Sequence, residues 1–155
     1  MQTQSSDSPV HPFECVTFSS GEQVFCLEIT QIREIRRWSP VTALPHAPGD
    51  VLGVMNLRGA VIPIIDLSAR LGLGTTAQND RNVVIVAQGK SNSSGFLVES
   101  VSEILAIGTD AIQETPDIKS DLTKGYVGGV IALEDEMIRV LNLDNLLQTE
   151  TGAAA

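Results

Sequence analysis

The segment Gly53-Val54-Met55-Asn56-Leu57-Arg58-Gly59-Ala60-Val61-Ile62-Pro63-Ile64-Ile65-Asp66-Leu67 recurs in the second half of the chain at a constant offset of 76 residues, Gly53 falling on Gly129. Val54 matches Val130, and Leu57, Ile62 and Leu67 fall on Leu133, Ile138 and Leu143 without a gap. Each copy reads as two apolar strands around a tight polar turn. A pattern used twice means one β unit used twice, and this limits the fold more than any other feature of the sequence. The turns differ: Arg58-Gly59 in the first copy gives way to Asp135-Glu136 near the second.

The remaining apolar segments agree with a β reading. Short runs rich in Val, Ile and Leu lie at 13–18, 23–29, 51–57, 60–66, 82–88, 95–101, 103–107, 127–133 and 137–143, punctuated by Gly, Asn, Asp or Pro. Their close spacing predicts an antiparallel barrel or sandwich in place of a parallel α/β sheet. Helices are expected to be few and short. Asp66 can cap Leu67 to Leu71 with Gly72 as terminator, and Asp144-Asn145-Leu146-Leu147 closes the second copy in the same way. Ile29 to Ile35 has helical spacing for about one turn before extended chain. Pro40, Pro45 and Pro48 make 36–50 an irregular connector with one short strand around Val41 to Leu44. Ser91-Asn92-Ser93-Ser94-Gly95 reads as a hairpin loop, and 108–124 as a long irregular connector. Residues 1–12 and 148–155 read as flexible tails around a body spanning 13–147. A weaker echo joins Phe25-Cys26-Leu27-Glu28 and Ile32-Arg33-Glu34-Ile35 to Phe96-Leu97-Val98-Glu99 and Val101-Ser102-Glu103-Ile104.

With 43% apolar and 19% charged residues the chain can bury a core of its own. A net charge of −9 with only ten Lys and Arg argues against nucleic acid and against anionic membrane surfaces. Arg33, Arg36 and Arg37 are interrupted by Glu34 and read as a solvated face. No signal peptide or membrane-length apolar run is present, so a cytoplasmic protein is expected. A hairpin turning at Ser19-Ser20-Gly21-Glu22 would set Cys15 opposite Cys26. A cross-strand disulfide is then conceivable, but a reducing compartment favours two buried thiols.

Catalytic chemistry is not visible. His11 and His46 have no partner at metal-ligand spacing, and Gly89-Lys90-Ser91 lacks the glycine a phosphate loop needs five positions earlier, where Val84 stands. Asp66 and Glu99 are explained by capping and by an exposed strand position. Neither cofactor nor metal is expected. Arg58 is the exception, because turn geometry calls for Asn56 and Gly59 but not for an arginine beside the glycine. Three roles are open to it: a solubilising side chain, a structural arginine folded onto Asp66 or Glu34, or a planar multi-donor contact with a partner or the other subdomain. Trp38, the one tryptophan, is either a core plug or an interface anchor.

These segments in this order resemble the CheW family of chemotaxis coupling proteins from Phe13 to about Leu147. Those that carry the resemblance are Phe25 to Ile35, Val41-Thr42-Ala43-Leu44-Pro45-His46-Ala47-Pro48, Gly53 to Leu67, Gly95 to Val101 and Gly128-Gly129-Val130. The resemblance implies an all-β fold with a few short helices, two SH3-like five-stranded β-barrel subdomains packed on a shared core. The subdomains would run roughly over 13–75 and 82–147, with possible strand exchange between them. It implies a non-enzymatic adaptor joining the cytoplasmic tip of methyl-accepting chemoreceptors to the regulatory domain of a CheA-type histidine kinase. Such a protein is a monomer in isolation, is recruited to receptor arrays at the inner face of the membrane, and does not insert into it. A CheW-like scaffold in pili motility or development, or a small β-barrel ligand-binding protein, are the alternatives. The residues implied in partner contact or its support are Glu34, Ile35, Trp38, Val54, Asn56, Arg58, Gly59 and Val98. Two departures affect partner choice: Glu99 stands where the family commonly has Asp, and Trp38 where it has smaller or polar residues.

Overall fold

The computed structural model describes residues 12–90, 92–114 and 125–147. Among them are eleven strands: β1 (Phe13–Ser20), β2 (Gln23–Glu28), β3 (Ile32–Arg37), β4 (Val51–Leu57), β5 (Ala60–Asp66), β6 (Val83–Gln88), β7 (Ser93–Val98), β8 (Ser100–Ile107), β9 (Ile112–Gln113), β10 (Val127–Leu133) and β11 (Glu136–Leu141). They form a five-stranded sheet in the order β3-β6-β7-β5-β4 and a six-stranded sheet in the order β8-β1-β2-β11-β10-β9. The chain is therefore all-β with a few short helices, and its two SH3-like subdomains share a core. The sixth strand of the second sheet is the two-residue β9.

The repeat is present in the strand register. Leu57 faces Ala60 across the first hairpin turn, and Leu133 faces Glu136 across the second. Both first strands carry a bulge at the same place, between Val51 and Gly53 and between Val127 and Gly129. The equivalents of Arg58-Gly59 are thus Glu134-Asp135, one residue earlier than the pair assigned from sequence. The weaker echo is also structural, at a single offset of 69 residues (Glu34 to Glu103). Glu34 pairs with Val86, and Glu103 with Thr17, each beside a register shift. Phe25 then corresponds to Ser94, because the pair Phe18–Phe25 matches Ala87–Ser94. The likeness of Phe25 to Phe96 is a coincidence of composition.

The strands do not sort into sheets at residues 75–82. The hairpin β1–β2 joins the sheet built from β8 to β11, while β6–β7 joins the sheet built from β3 to β5. Each repeat contributes its first hairpin to the other's sheet through a parallel contact, Ile64 with Gly95 and Val140 with Cys26.

Burial follows this exchange in three layers. Ile62, Ile64, Val84, Val86 and Leu97 fill the first barrel. Cys15, Cys26, Ile131 and Ile138 fill the second. Between them, Phe18, Phe25, Phe96, Ile65, Ile85, Leu141 and Leu146 form the shared core. At about 1.5–3 kcal/mol for each fully buried large side chain, this shared layer holds the barrels together.

Local expectations held in part. Asp66 caps the helix Leu67–Arg70, its Oδ1 accepting from Ala69 N at 3.5 Å. Asn142 does the same for the helical residues 143–147, accepting from Asn145 N at 3.1 Å. The helical turn expected over 29–35 shortens to a 3-10 turn at Ile29–Gln31, because Ile32–Arg37 is drawn into a sheet edge beside β6. The strand expected at Val41 to Leu44 reduces to one bridge between Thr42 and Val54. Ser93 and Ser94 belong to β7, not to a loop, and Glu99 separates β7 from β8. The connector 108–124 begins with a 3-10 turn, Thr109–Ala111, and β9; its residues 115–124 lie outside the described residues. So do the expected tails, apart from Pro12. Among the described residues no helix is long and apolar enough to cross a membrane.

Candidate functional site

β3 and β4 are the two edges of the five-stranded sheet, and the tip of the β4–β5 hairpin closes over β3. Arg58 Nη1 lies 2.6 Å from Glu34 Oε1, and Arg36 Nη1 lies 2.9 Å from Glu34 Oε2. Of the roles open to Arg58, the structure thus supplies the carboxylate, and it is Glu34. Asp66 is occupied elsewhere, accepting from Thr76 N at 2.8 Å and from Thr76 Oγ1 at 2.6 Å. Yet the pair is lopsided: the Arg58 side chain is 75% exposed and that of Glu34 only 18%. A guanidinium in that position keeps donors facing solvent while one nitrogen is tied back. The hydrogen bonds from Arg36 and Arg58 hold the Glu34 carboxyl below the usual carboxylate range.

The turn itself has a cost. A two-residue hairpin that follows the right-handed strand twist needs positive φ at both central residues, which favours Asn-Gly. Here φ is 54° at Arg58 and 88° at Gly59. Asn56, just before the turn, accepts from Gly59 N at 2.9 Å through its side chain. Glu22 and His46 are the other non-glycine residues described with positive φ. Of the three, only Arg58 makes a side-chain ion pair among the described residues.

Glu34, Asn56, Arg58 and Gly59 are brought together on this rim. Ile35 is 44% exposed on the other face of β3: it pairs with Ile85 of the shared core, whereas Glu34 and Arg36 pair with Val86 and Val84 of the first barrel's core. Val54 supports the rim from below, exchanging backbone hydrogen bonds with Thr42 at 2.8 and 3.0 Å. Trp38 packs partly buried against the first barrel's core, with its backbone N–H donating to Asn82 O at 3.0 Å. Val98 is corrected: it is fully buried in the shared core and presents nothing to a partner. The strand β7 is buried from Ser94 to Val98, so the position that the resemblance implied faces the core.

Four residues were missed. Arg36 is the second clamp on Glu34, and its spacing of two on one strand was the available signal. Val61 and Met137, 66% and 53% exposed, occupy equivalent positions in the two repeats. Ile104, the equivalent of Ile35, is 62% exposed. Equivalent apolar residues are therefore exposed on both barrels. The charges around them differ. Arg33, Arg36 and Arg37 become Ser102, Leu105 and Ala106, while Arg58, Gly59 and Ala60 become Glu134, Asp135 and Glu136.

The CheW-like domain family matches residues 14–151. The chain is 49% identical over 142 residues to the chemotaxis protein CheW of Rhizobium meliloti (strain 1021), covering 92% of each. A solved structure, the scaffolding protein TtCheW from Thermoanaerobacter tengcongensis, superposes with a TM-score of 0.81 at 29% identity, covering 87% of this chain and 92% of that one. A more distant relative, protein FrzA of Myxococcus xanthus, is 27% identical over 139 residues, covering 83% of this chain and 86% of that protein.

Proposed function

As the chain belongs to the CheW-like domain family, we propose that it is a non-catalytic adaptor coupling the tips of methyl-accepting chemoreceptors to the regulatory domain of a CheA-type histidine kinase. One observation carries this reading. The duplicated fold exposes equivalent apolar residues on both barrels, Ile35 and Val61 on one and Ile104 and Met137 on the other, in strands and turns that carry arginines in the first copy and acidic residues in the second. An adaptor needs two non-identical docking faces, and a duplication whose copies differ in charge at these positions supplies them. Interfaces of modest size, below about 1,200 Å² in total, suit the transient contacts of such an adaptor. Signalling then requires only that the faces discriminate between two states of a partner. Glu34, Asn56, Arg58 and Gly59 form the basic rim, Ile35 is exposed on the other face of the same edge strand, and Val54 and Trp38 support the hairpin and its neighbour. The adaptor works in the cytoplasm as a monomer and is recruited to receptor arrays.

A second reading keeps the adaptor and changes the pathway to pili motility or development. It is favoured only by the relative FrzA, which is not named for chemotaxis.

Co-sedimentation with a receptor-tip fragment and a CheA-type regulatory domain tests the proposal. The wild-type chain binds both, and Arg58→Ala weakens one of the two at least about tenfold, ~1.4 kcal/mol, while remaining folded. Absence of binding to either partner at tens of micromolar rejects the adaptor reading. A collapse of thermal stability with undiminished binding by the folded fraction rejects the role of Arg58.

A further inference from the structure

The two cysteines lie together in the second barrel's core, with no exposed surface on either. The hairpin does not set them opposite each other as its sequence suggested. The turn is Gly21-Glu22, with φ 59° and 66°, so Cys15 pairs with Glu28 and Cys26 with Thr17. They are diagonal neighbours on one face. A flat sheet holds such a pair too far apart to bridge, but a strongly twisted one brings one diagonal close.

The other barrel measures how close. The equivalents of Cys15 and Cys26 are Val84 and Gly95, which stand in the same diagonal relation across β6 and β7. A Cβ built on Gly95 would lie 2.8 Å from Val84 Cγ1. Since Cγ1 is one bond of about 1.5 Å beyond its own Cβ, the two Cβ positions lie within about 4.3 Å, inside the ~3.5–4.5 Å that a disulfide spans. The first barrel tolerates the contact with a glycine. In the second, both positions carry sulfur. A hydrogen bond from Cys26 to the Cys15 sulfur, opposed by burial, holds Cys15 below the ordinary thiol range, and the same bond together with burial pushes Cys26 well above it.

We propose that Cys15 and Cys26 form a reversible intrachain disulfide, a peroxide-responsive site inside the second barrel. The Cys15 thiolate attacks one oxygen of hydrogen peroxide, the O–O bond breaks, and the products are a Cys15 sulfenic acid and hydroxide, which becomes water by taking up the proton that Cys15 released on ionising. The Cys26 sulfur then attacks the Cys15 sulfur and hydroxide leaves, taking up the proton from Cys26. The two thiols lose two protons and two electrons, and one peroxide becomes two waters. The edge strand β8, paired among the described residues only with β1 and largely exposed along its length, is the element whose local opening admits the oxidant. The product staples β1 to β2 in the hairpin donated to the second barrel. This inference is independent of the adaptor reading.

The test is intact-mass analysis of the full chain. Folded protein is treated with hydrogen peroxide, then unfolded in N-ethylmaleimide. Wild type is expected to lose both maleimide adducts, to weigh two hydrogens less than the reduced chain, and to yield a peptide cross-linked between Cys15 and Cys26. Dithiothreitol restores both adducts. Cys15→Ser and Cys26→Ser give no intrachain cross-link. Retention of both adducts in folded wild type, under conditions that oxidise the chain in denaturant, overturns the proposal. So does a disulfide formed only between chains.

Discussion

Arg58 is held in a backbone conformation that a side chain with a Cβ makes costly, by roughly 1–2 kcal/mol for L-residues. Asparagine tolerates that conformation better while keeping a Cβ. Arg58→Asn is therefore expected to leave stability unchanged or raise it by up to about 1 kcal/mol in thermal melts, even though the ion pair with Glu34 is lost. A clear loss of stability would mean that the pair, not the partner face, accounts for the arginine. Proton linkage gives a second test. Glu34 is held ionised more strongly in the folded state than in the unfolded one, where its value is about 4.3. Its contribution is thus present above that pH and disappears as pH falls through the lower folded value. Glu34→Gln is expected to flatten the decline in melting temperature between about pH 5 and pH 3 relative to wild type. An identical decline in both proteins would show that the clamp adds nothing to folding. At this scale the sequence exposed the arginine as unexplained by its turn. It could not choose between Glu34 and Asp66, which differ only in where the fold places them.

Among the elements, the bulges at Gly53 and Gly129 mark where a crossing segment touches each hairpin. At Gly53 an added Cβ would meet Thr42 O at 2.3 Å, a backbone atom in a bridge that cannot move away alone. At Gly129 it would meet Ile112 Cγ2 at 2.8 Å and Gln113 O at 3.1 Å, side chain and edge-strand backbone. Gly53→Ala is expected to cost about 2–3 kcal/mol in urea melts and Gly129→Ala measurably less. An equal cost for both would mean that Thr42 is as free to shift as β9. The sequence aligned these glycines with each other. It did not reveal what each one faces, because Thr42 and Gln113 lie outside the aligned segment. The same limit explains why the helical turn at Ile29 stops after the 3-10 turn Ile29–Gln31, where pairing of Ile32–Arg37 with β6 outweighed a longer helical spacing.

For the whole molecule, the pseudo-symmetry breaks at Arg70. Its equivalent is Leu146, and Arg70 Nη1 donates to that residue's carbonyl at 2.8 Å while Nε donates to Asp50 at 2.6 Å. The Arg70 side chain is 1% exposed, in contrast to that of Arg58. A buried cation of this kind joins the helix of one repeat, the connector before β4 and the helix of the other repeat. Removing it leaves an acceptor and a carboxylate without their donor. Arg70→Leu is expected to destabilise by about 3 kcal/mol in denaturant melts. A loss below about 1 kcal/mol would mean that the apolar shared core alone sets how the barrels pack.

Local pattern settled a good deal in this chain. Alternating and apolar runs fixed which segments are strands, Asp66 fixed a helix start, and the repeat fixed that one unit is used twice. These depend on neighbours in sequence, whose energetics are local. Tertiary structure alone decided that each repeat gives its first hairpin to the other's sheet, that Val98 is buried, and that Glu34 meets Arg58 from the opposite edge. Those outcomes depend on which sheet faces bury Phe18, Phe25 and Phe96 against one another. Many pairings satisfy the same strand pattern, and the long-range burial of apolar faces selects among them.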